Sequence, residues 1–188
     1  MNVLIGCEES QVECIAFRKR GCNAFSCDIK TCSGGYPEYH IVGDVFKVLP
    51  DNNTDIVFTT QDGTVHHIDK WDLCIFHPPC TYLSFAGNAY LNIDKYGAKA
   101  LKRFKDREEA AEFFMRCYNV NVSKVCVENP NGYMTQCFRK PDQIVHPMQF
   151  GEPYLKRTCY WLKGLPPLMS TLFWSRQARA ILQSRLRL

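Results

Sequence analysis

Residues 71–80 read WDLCIFHPPC, and this stretch decides the fold class. A short apolar run from Asp72 to Phe76 stops at His77-Pro78-Pro79, where two prolines restrict the backbone and remove two amide donors. This pattern predicts a buried strand that ends in a stiff turn. Cys80 follows the turn directly, so we expect its thiol to be presented rather than packed in the core.

Comparable runs occur on both sides of this stretch. Further strands are predicted at Val3–Cys7, Asn23–Cys27, Ile41-Val42, Lys124–Val127, Ile144–Phe150 and Thr158–Leu162. Helices are predicted at Gln11–Arg20 and Lys105–Asn119, and a hairpin at Asp55–Ile68, around Asp62-Gly63. Strands that alternate with helices predict an α/β domain with a largely parallel central sheet and helices on both faces.

Ligands of such sheets bind beyond the carboxyl ends of the strands, so the residues there are candidates for a site. Asp28 ends the second strand and could accept hydrogen bonds from ribose hydroxyls, while Gly6 would allow a ligand to approach the backbone. Asp44 ends the third strand and could accept the exocyclic amine of an adenine. A turn glycine and ordinary capping or turn acids are the structural alternatives.

The loop after the first strand indicates what kind of ligand fits. Glu8 and Glu9 stand where a dinucleotide-binding loop would carry glycines, and two carboxylates would repel a pyrophosphate. A cationic sulfonium with an amino-acid tail is the better match.

Two strand ends carry groups suited to covalent catalysis. A presented Cys80 thiolate would be a nucleophile, whereas we expect the other ten cysteines to be small apolar core residues. Glu128, at the end of the fifth strand, could donate or accept a proton, with Asn129 fixing its orientation. The alternative for this pair is a capped turn before Pro130.

Length and composition predict one domain over residues 1–170 and a basic tail over residues 171–188, helical or disordered. The net charge is +4, and the tail holds Arg176, Arg179, Arg185 and Arg187 without an acid, so the remaining residues are balanced in charge. The tail could touch phosphates or have no role. Without Cys-x-x-Cys pairs, a signal peptide or a membrane span, we expect no metal, free thiols and a cytoplasmic location.

In this order, the strand-end residues resemble the cytosine-C5 DNA methyltransferase family. The corresponding residues are Ile5-Gly6, Asp28, Gly43-Asp44-Val45, Pro79-Cys80 and Glu128-Asn129-Pro130. Most of residues 1–168 is also similar to small phage- and prophage-type proteins usually called DNA methyltransferases. That likeness rests on residues 6–10 (GCEES), 32–35 (CSGG), 71–73 (WDL) and 77–84 (HPPCTYLS).

The resemblance implies a Rossmann-like S-adenosylmethionine-dependent methyltransferase fold. It implies that S-adenosylmethionine is bound by Gly6, Cys7, Glu8, Asp28, Ile29, Asp44, Val45 and Pro78. It further implies catalytic roles for Cys80, Glu128 and Asn129, with Cys80 adding to C6 of cytosine and Glu128 contacting N3. Pro79 and Arg157 would contact the substrate, which is DNA.

The chain also departs from the family. The glycine cluster of the first loop and the late Gln-x-Arg-x-Arg strand are missing, and Lys156-Arg157-Thr158 is the nearest run to the latter. No segment is long enough for a target-recognition domain. Sequence selectivity would therefore be poor, or would come from the loops around 84–103 and 131–157 or from a partner protein.

Three alternatives remain open at this point. The first is methylation or hydroxymethylation of a free pyrimidine nucleotide through the same cysteine chemistry. The second is an exocyclic-amine methyltransferase, although such enzymes place an aromatic residue where Cys80 stands. The third is a non-catalytic cofactor-binding protein.

Overall fold

The computed structural model describes residues 1–171, so the basic tail, apart from Thr171, lies outside the described residues together with its four arginines. The strands are β1 (Asn2–Gly6), β2 (Asn23–Asp28), β3 (His40–Val42), β4 (Ile56–Thr59), β5 (Val65–Ile68), β6 (Leu73–Phe76), β7 (Val125–Pro130), β8 (Gln143–Val145) and β9 (Thr158–Lys163). The α-helices are α1 (Val12–Arg18), α2 (Ile93–Tyr96), α3 (Ala98–Asn119) and α4 (Tyr133–Cys137).

Seven strands form one sheet in the order β3-β2-β1-β6-β7-β9-β8. The pairs from β3 to β7 are all parallel, and β9 runs antiparallel to both β7 and β8. The predicted mixed α/β class with a largely parallel sheet is therefore confirmed. The hairpin is confirmed too, because β4 and β5 pair antiparallel in a small sheet of their own.

The two faces of the sheet are covered by different helices. Along β1, Leu4 belongs to the core cluster that contains Phe114 of α3. Val3 and Ile5 point the other way, into a smaller cluster with Cys14 of α1. This alternation follows from the two-residue period of a strand, and it confirms helices on both faces.

The long helix begins earlier than the sequence pattern predicted, at Ala98 instead of Lys105. Residues 98–105 are mostly good helix formers, so the segment extends the helix once Gly97 has turned the chain. All eleven cysteines, which lie within the described part, are free. Within residues 1–171, no helix is both long and apolar enough to cross a membrane.

Candidate active site

The carboxyl ends of five parallel strands share one edge of the sheet. The register pairs Gly6 with Cys27 on one side and with Phe76 on the other, and Phe76 in turn pairs with Val127. Asp28 pairs with Val42 at the end of β3. The candidate residues that follow these strands are therefore neighbours in space although they are far apart in the sequence.

A cleft of about 450 Å³ opens at this edge. Of the residues predicted from the sequence, Cys7, Asp28, Ile29, Asp44, Val45 and Pro79 line it. Its other lining residues are Cys27, Lys30, Gly43, His77, Phe113 and Arg116. We call this space the aspartate cleft. Its volume is in the range of small-molecule sites.

Both aspartates use one carboxylate oxygen in a local hydrogen bond. Asp28 Oδ1 accepts from the amide of Lys30 at 3.0 Å, and Asp44 Oδ1 accepts from the amide of Phe46 at 3.0 Å. The second contact caps the short 3₁₀ helix Val45–Val48. Within residues 1–171, the second oxygen of each carboxylate forms no hydrogen bond, so each remains able to accept one from a ligand.

Three residues predicted to contact a cofactor do not line the cleft. Gly6 is buried, and a Cβ there would collide with the ring of Phe76 and with Val45, so packing explains this glycine. Glu8 is turned toward α1, where its carboxylate accepts from the amides of Glu13 at 2.7 Å and Cys14 at 3.3 Å. Pro78 is buried within the proline turn, where its carbonyl accepts from Asn129.

The aspartate cleft has an aromatic and cationic wall that sequence reasoning missed. The Phe46 and Phe113 rings meet edge-to-face at 5.3 Å, and the Arg116 guanidinium carbon lies 3.7 Å from the centroid of the Phe46 ring. Lys30 adds a second cation beside the aspartates. Phe113 and Arg116 are three residues apart on α3 and hence on one helix face, but only the tertiary packing reveals that this face borders the cleft.

Cys7 and Cys80 are both near the cleft but differ in accessibility. Cys7 has a left-handed backbone (φ 60°), and burial, followed by the charges of Asp28 and Asp44, raises its pKa to about 12. Its thiol therefore stays protonated at neutral pH. Cys80 is exposed at the end of the proline turn, as predicted.

Backbone carbonyls in the turn that contains Cys80 are bound by side chains of α3. Arg103 donates to the Thr81 carbonyl at 3.0 Å, and Arg107, which is buried, donates to the Tyr82 carbonyl at 3.0 Å. The Cys80 carbonyl itself accepts from the amides of Leu83 at 3.1 Å and Ser84 at 3.0 Å. These bonds fix the backbone that carries the thiol.

Gly132 closes the other side of this turn. Ser84 forms an isolated antiparallel bridge with Gly132, and the Tyr133 amide donates to the Leu83 carbonyl at 2.7 Å. A Cβ on Gly132 would collide with that same carbonyl. Only glycine permits this close approach of two backbones.

His77 connects the turn to two carboxylates. Its Nε2 lies 3.3 Å from Glu13 Oε2 on α1, and its Nδ1 lies 3.5 Å from Glu128 Oε2 on β7. Burial disfavours the charged ring, but hydrogen bonds and charge from Glu128 and Glu13 outweigh it and raise the pKa of His77 to about 10. The ring is therefore an imidazolium at neutral pH, and Glu128 faces a cation.

Asn129 has a different partner from the one expected. Its Nδ2 donates to the Pro78 carbonyl at 2.8 Å in a buried contact, so Asn129 fixes the proline turn rather than the Glu128 side chain. Its buried Oδ1 has no partner within residues 1–171.

Arg157 comes to the same edge of the sheet, because antiparallel β9 begins at Thr158, which pairs with Pro130.

Comparison with protein-family models found no match. A search of curated protein sequences also found none.

Proposed function

We propose that this chain transfers a methyl group from S-adenosylmethionine to C5 of cytosine in DNA, through a covalent bond between Cys80 and C6 of the base. The fold required is a Rossmann-like methyltransferase fold, and a largely parallel sheet with ligand-accessible strand ends is compatible with it.

One observation carries the proposal. Pro79 lines the aspartate cleft, and the exposed thiol of Cys80 follows it directly, while Asn129 and the arginines of α3 hold the turn. A nucleophile thus adjoins a cleft whose volume and charges suit a small ligand.

The aspartate cleft fits the chemistry of S-adenosylmethionine. The free oxygens of Asp28 and Asp44 can accept hydrogen bonds from ribose hydroxyls and an adenine amine, and Ile29 and Phe113 offer apolar contact. Two carboxylates together with Lys30 and Arg116 suit a ligand that carries charges of both signs. When bound, the cofactor would supply an electrophilic methyl group on its sulfonium.

The side chains at the turn would act on the base. The Cys80 thiolate forms a bond to C6, which moves electron density toward N3 and C5. N3 takes up a proton as it becomes more basic: the His77 imidazolium, whose Nδ1 lies 3.5 Å from Glu128 Oε2, passes a proton to Glu128, and the Glu128 carboxyl donates it to N3. After the methyl group joins C5, a solvent water takes the C5 proton, the electrons of that C–H bond re-form the C5=C6 double bond, and the Cys80 thiolate leaves C6. The N3 proton returns to Glu128, which restores the aromatic ring.

The test uses 5-fluorocytosine, whose C5 has no proton to lose, so the covalent adduct is trapped. Wild-type protein is incubated with cofactor and an oligonucleotide that contains this base, and the intact mass is measured. We expect an adduct that is absent from Cys80→Ser. Cys137→Ser is the matched control, because Cys137 is the other exposed cysteine within residues 1–171 and lies on α4.

The outcomes separate the alternatives. An adduct with 5-fluoro-dCMP but not with DNA would show that the substrate is a free nucleotide and not a polymer. Release of tritium from C5-labelled cytosine by Cys80→Ser at the wild-type rate would exclude the covalent mechanism. Cofactor binding without adduct or turnover would indicate a non-catalytic protein.

A further inference from the structure

A second cleft lies next to the Cys80 turn, at Tyr82. It measures about 460 Å³ and is lined by Tyr82, Tyr90, Tyr96, Lys99, Lys102, Arg103 and Asp106. We call it the tyrosine cleft. Of these residues only Arg103, which helps to hold the Cys80 turn, has a part in the methyl transfer proposed above.

The rings of the tyrosine cleft are available for stacking. Tyr90 is 55% exposed, and its ring centroid lies 5.6 Å from that of Tyr96, with the planes tilted by 42°. Arg103 lies between two tyrosines, with its guanidinium carbon 5.0 Å from the Tyr82 ring and 5.4 Å from the Tyr90 ring. Exposed aromatic rings beside arginine are the usual platform for unstacked bases.

The charge of this region is positive although most of the chain is balanced. Residues 94–107 hold six basic and two acidic residues. Lys102 neutralises Asp106 through contacts of 2.7 and 2.9 Å. Lys99 and Arg103 are then the cations that remain in the cleft. Such a local excess of positive charge favours a phosphate.

A third, smaller cleft connects the other two. It measures about 260 Å³ and shares Tyr82 and Asp106 with the tyrosine cleft, and Pro79 and Phe113 with the aspartate cleft. Its remaining lining includes the acid Glu109, which disfavours a phosphate in the middle. Of the connecting cleft and the tyrosine cleft, the tyrosine cleft is therefore the one that favours a phosphate.

We infer that the tyrosine cleft binds a nucleotide that flanks the target base in a single-stranded or locally unpaired polynucleotide, with its base stacked on Tyr90 and Tyr96 and its phosphate bound by Lys99. This inference rests on the proposed function for the meaning of "target base", but the binding itself does not require methyl transfer. A free nucleotide bound at Cys80 would leave this cleft unused.

The test measures binding of fluorescent oligo(dT), which contains no cytosine, by anisotropy. Tyr90→Leu removes the ring and should weaken binding about tenfold, whereas Tyr90→Phe keeps it and should bind like wild type. Lys99→Gln should lower the slope of log affinity against log salt by about 0.7. Tyr36→Leu and Lys19→Gln are matched controls, since these exposed residues lie outside the three clefts.

Unchanged affinity in Tyr90→Leu, or an unchanged salt slope in Lys99→Gln, would overturn the inference. So would dependence on Tyr90 for duplex DNA but not for the single strand. Because oligo(dT) cannot be methylated at cytosine, this result is independent of the adduct experiment. Loss of oligo(dT) binding in Tyr90→Leu would support the inference even if Cys80 proved inactive.

Discussion

The charged state of His77 leads to a prediction about stability that needs no knowledge of the substrate. His77→Gln removes the imidazolium between Glu13 and Glu128 but keeps a polar side chain of similar length. The pKa of the ring is raised from its ordinary value of 6.5 to about 10. At 1.36 kcal/mol for each pKa unit, this sets an upper limit of about 5 kcal/mol on the stabilisation.

Solvent exposure reduces that limit. The side chain of Glu13 is 38% exposed and that of His77 is 24% exposed, so water screens part of the attraction. We expect His77→Gln to lower the free energy of unfolding by about 1–3 kcal/mol at pH 6.5.

The sign of the pH dependence follows from the raised pKa. The stabilisation is fully present below the unfolded-state value of 6.5, because the ring is then protonated in both states. It is lost as the pH rises through about 10, where the folded protein also releases the proton. The difference between wild type and His77→Gln should therefore shrink steadily between pH 7 and pH 9.5.

Urea unfolding of both proteins across this range measures the difference. The eleven cysteines are common to both proteins, so their contribution to stability cancels in the comparison. His67→Gln is the matched control, because it makes the same substitution at an exposed histidine on the β5 strand. A stability difference that does not change with pH would refute the assignment of an imidazolium at His77.

Two further predictions concern the cleft and the turn. Asp44→Asn retains an acceptor for the Phe46 amide but removes the charge, so it should weaken S-adenosylmethionine binding about tenfold in calorimetry while thermal stability stays nearly unchanged; equal affinity would remove Asp44 from the cofactor site. Gly132→Ala should push the Leu83 carbonyl away, because the added Cβ would collide with it. We expect the protein to lose about 1–3 kcal/mol of stability and Cys80 to react more slowly in the 5-fluorocytosine assay. Wild-type stability and rate would show that the backbone adjusts to the Cβ without cost.

Local signals made much of the sheet predictable from the sequence. The abrupt end of an apolar run at Pro78-Pro79 correctly marked the end of β6 and the exposure of Cys80. Asp62-Gly63 correctly marked the hairpin between β4 and β5. These features depend on the backbone preferences of a few adjacent residues, so the sequence alone specifies them.

Other features depend on packing between distant segments and could not be predicted. The insertion of antiparallel β9 between β7 and β8 is set by tertiary contacts. The sequence predicts that Glu8 contacts a cofactor. In the structure its carboxylate instead accepts from amides at the start of α1, which have no partner within the helix. His77 gave no local signal, because its partners Glu13 and Glu128 lie on α1 and β7.

The arrangement of the clefts also bears on which substrate the turn serves. Cys80 follows Pro79, which lines both the aspartate cleft and the connecting cleft, so a base that reaches the thiol would have a cleft on either side of it. On the aspartate side the methyl donor is expected, since two free carboxylate oxygens occur there near apolar walls. The tyrosine cleft is then left for the rest of the substrate. Its rings and cations suit the bases and phosphates of further nucleotides, which a free nucleotide lacks. If the substrate is a polymer, variants of Tyr90 should impair the reaction on oligonucleotides and spare it on 5-fluoro-dCMP, whereas Cys80→Ser should abolish both.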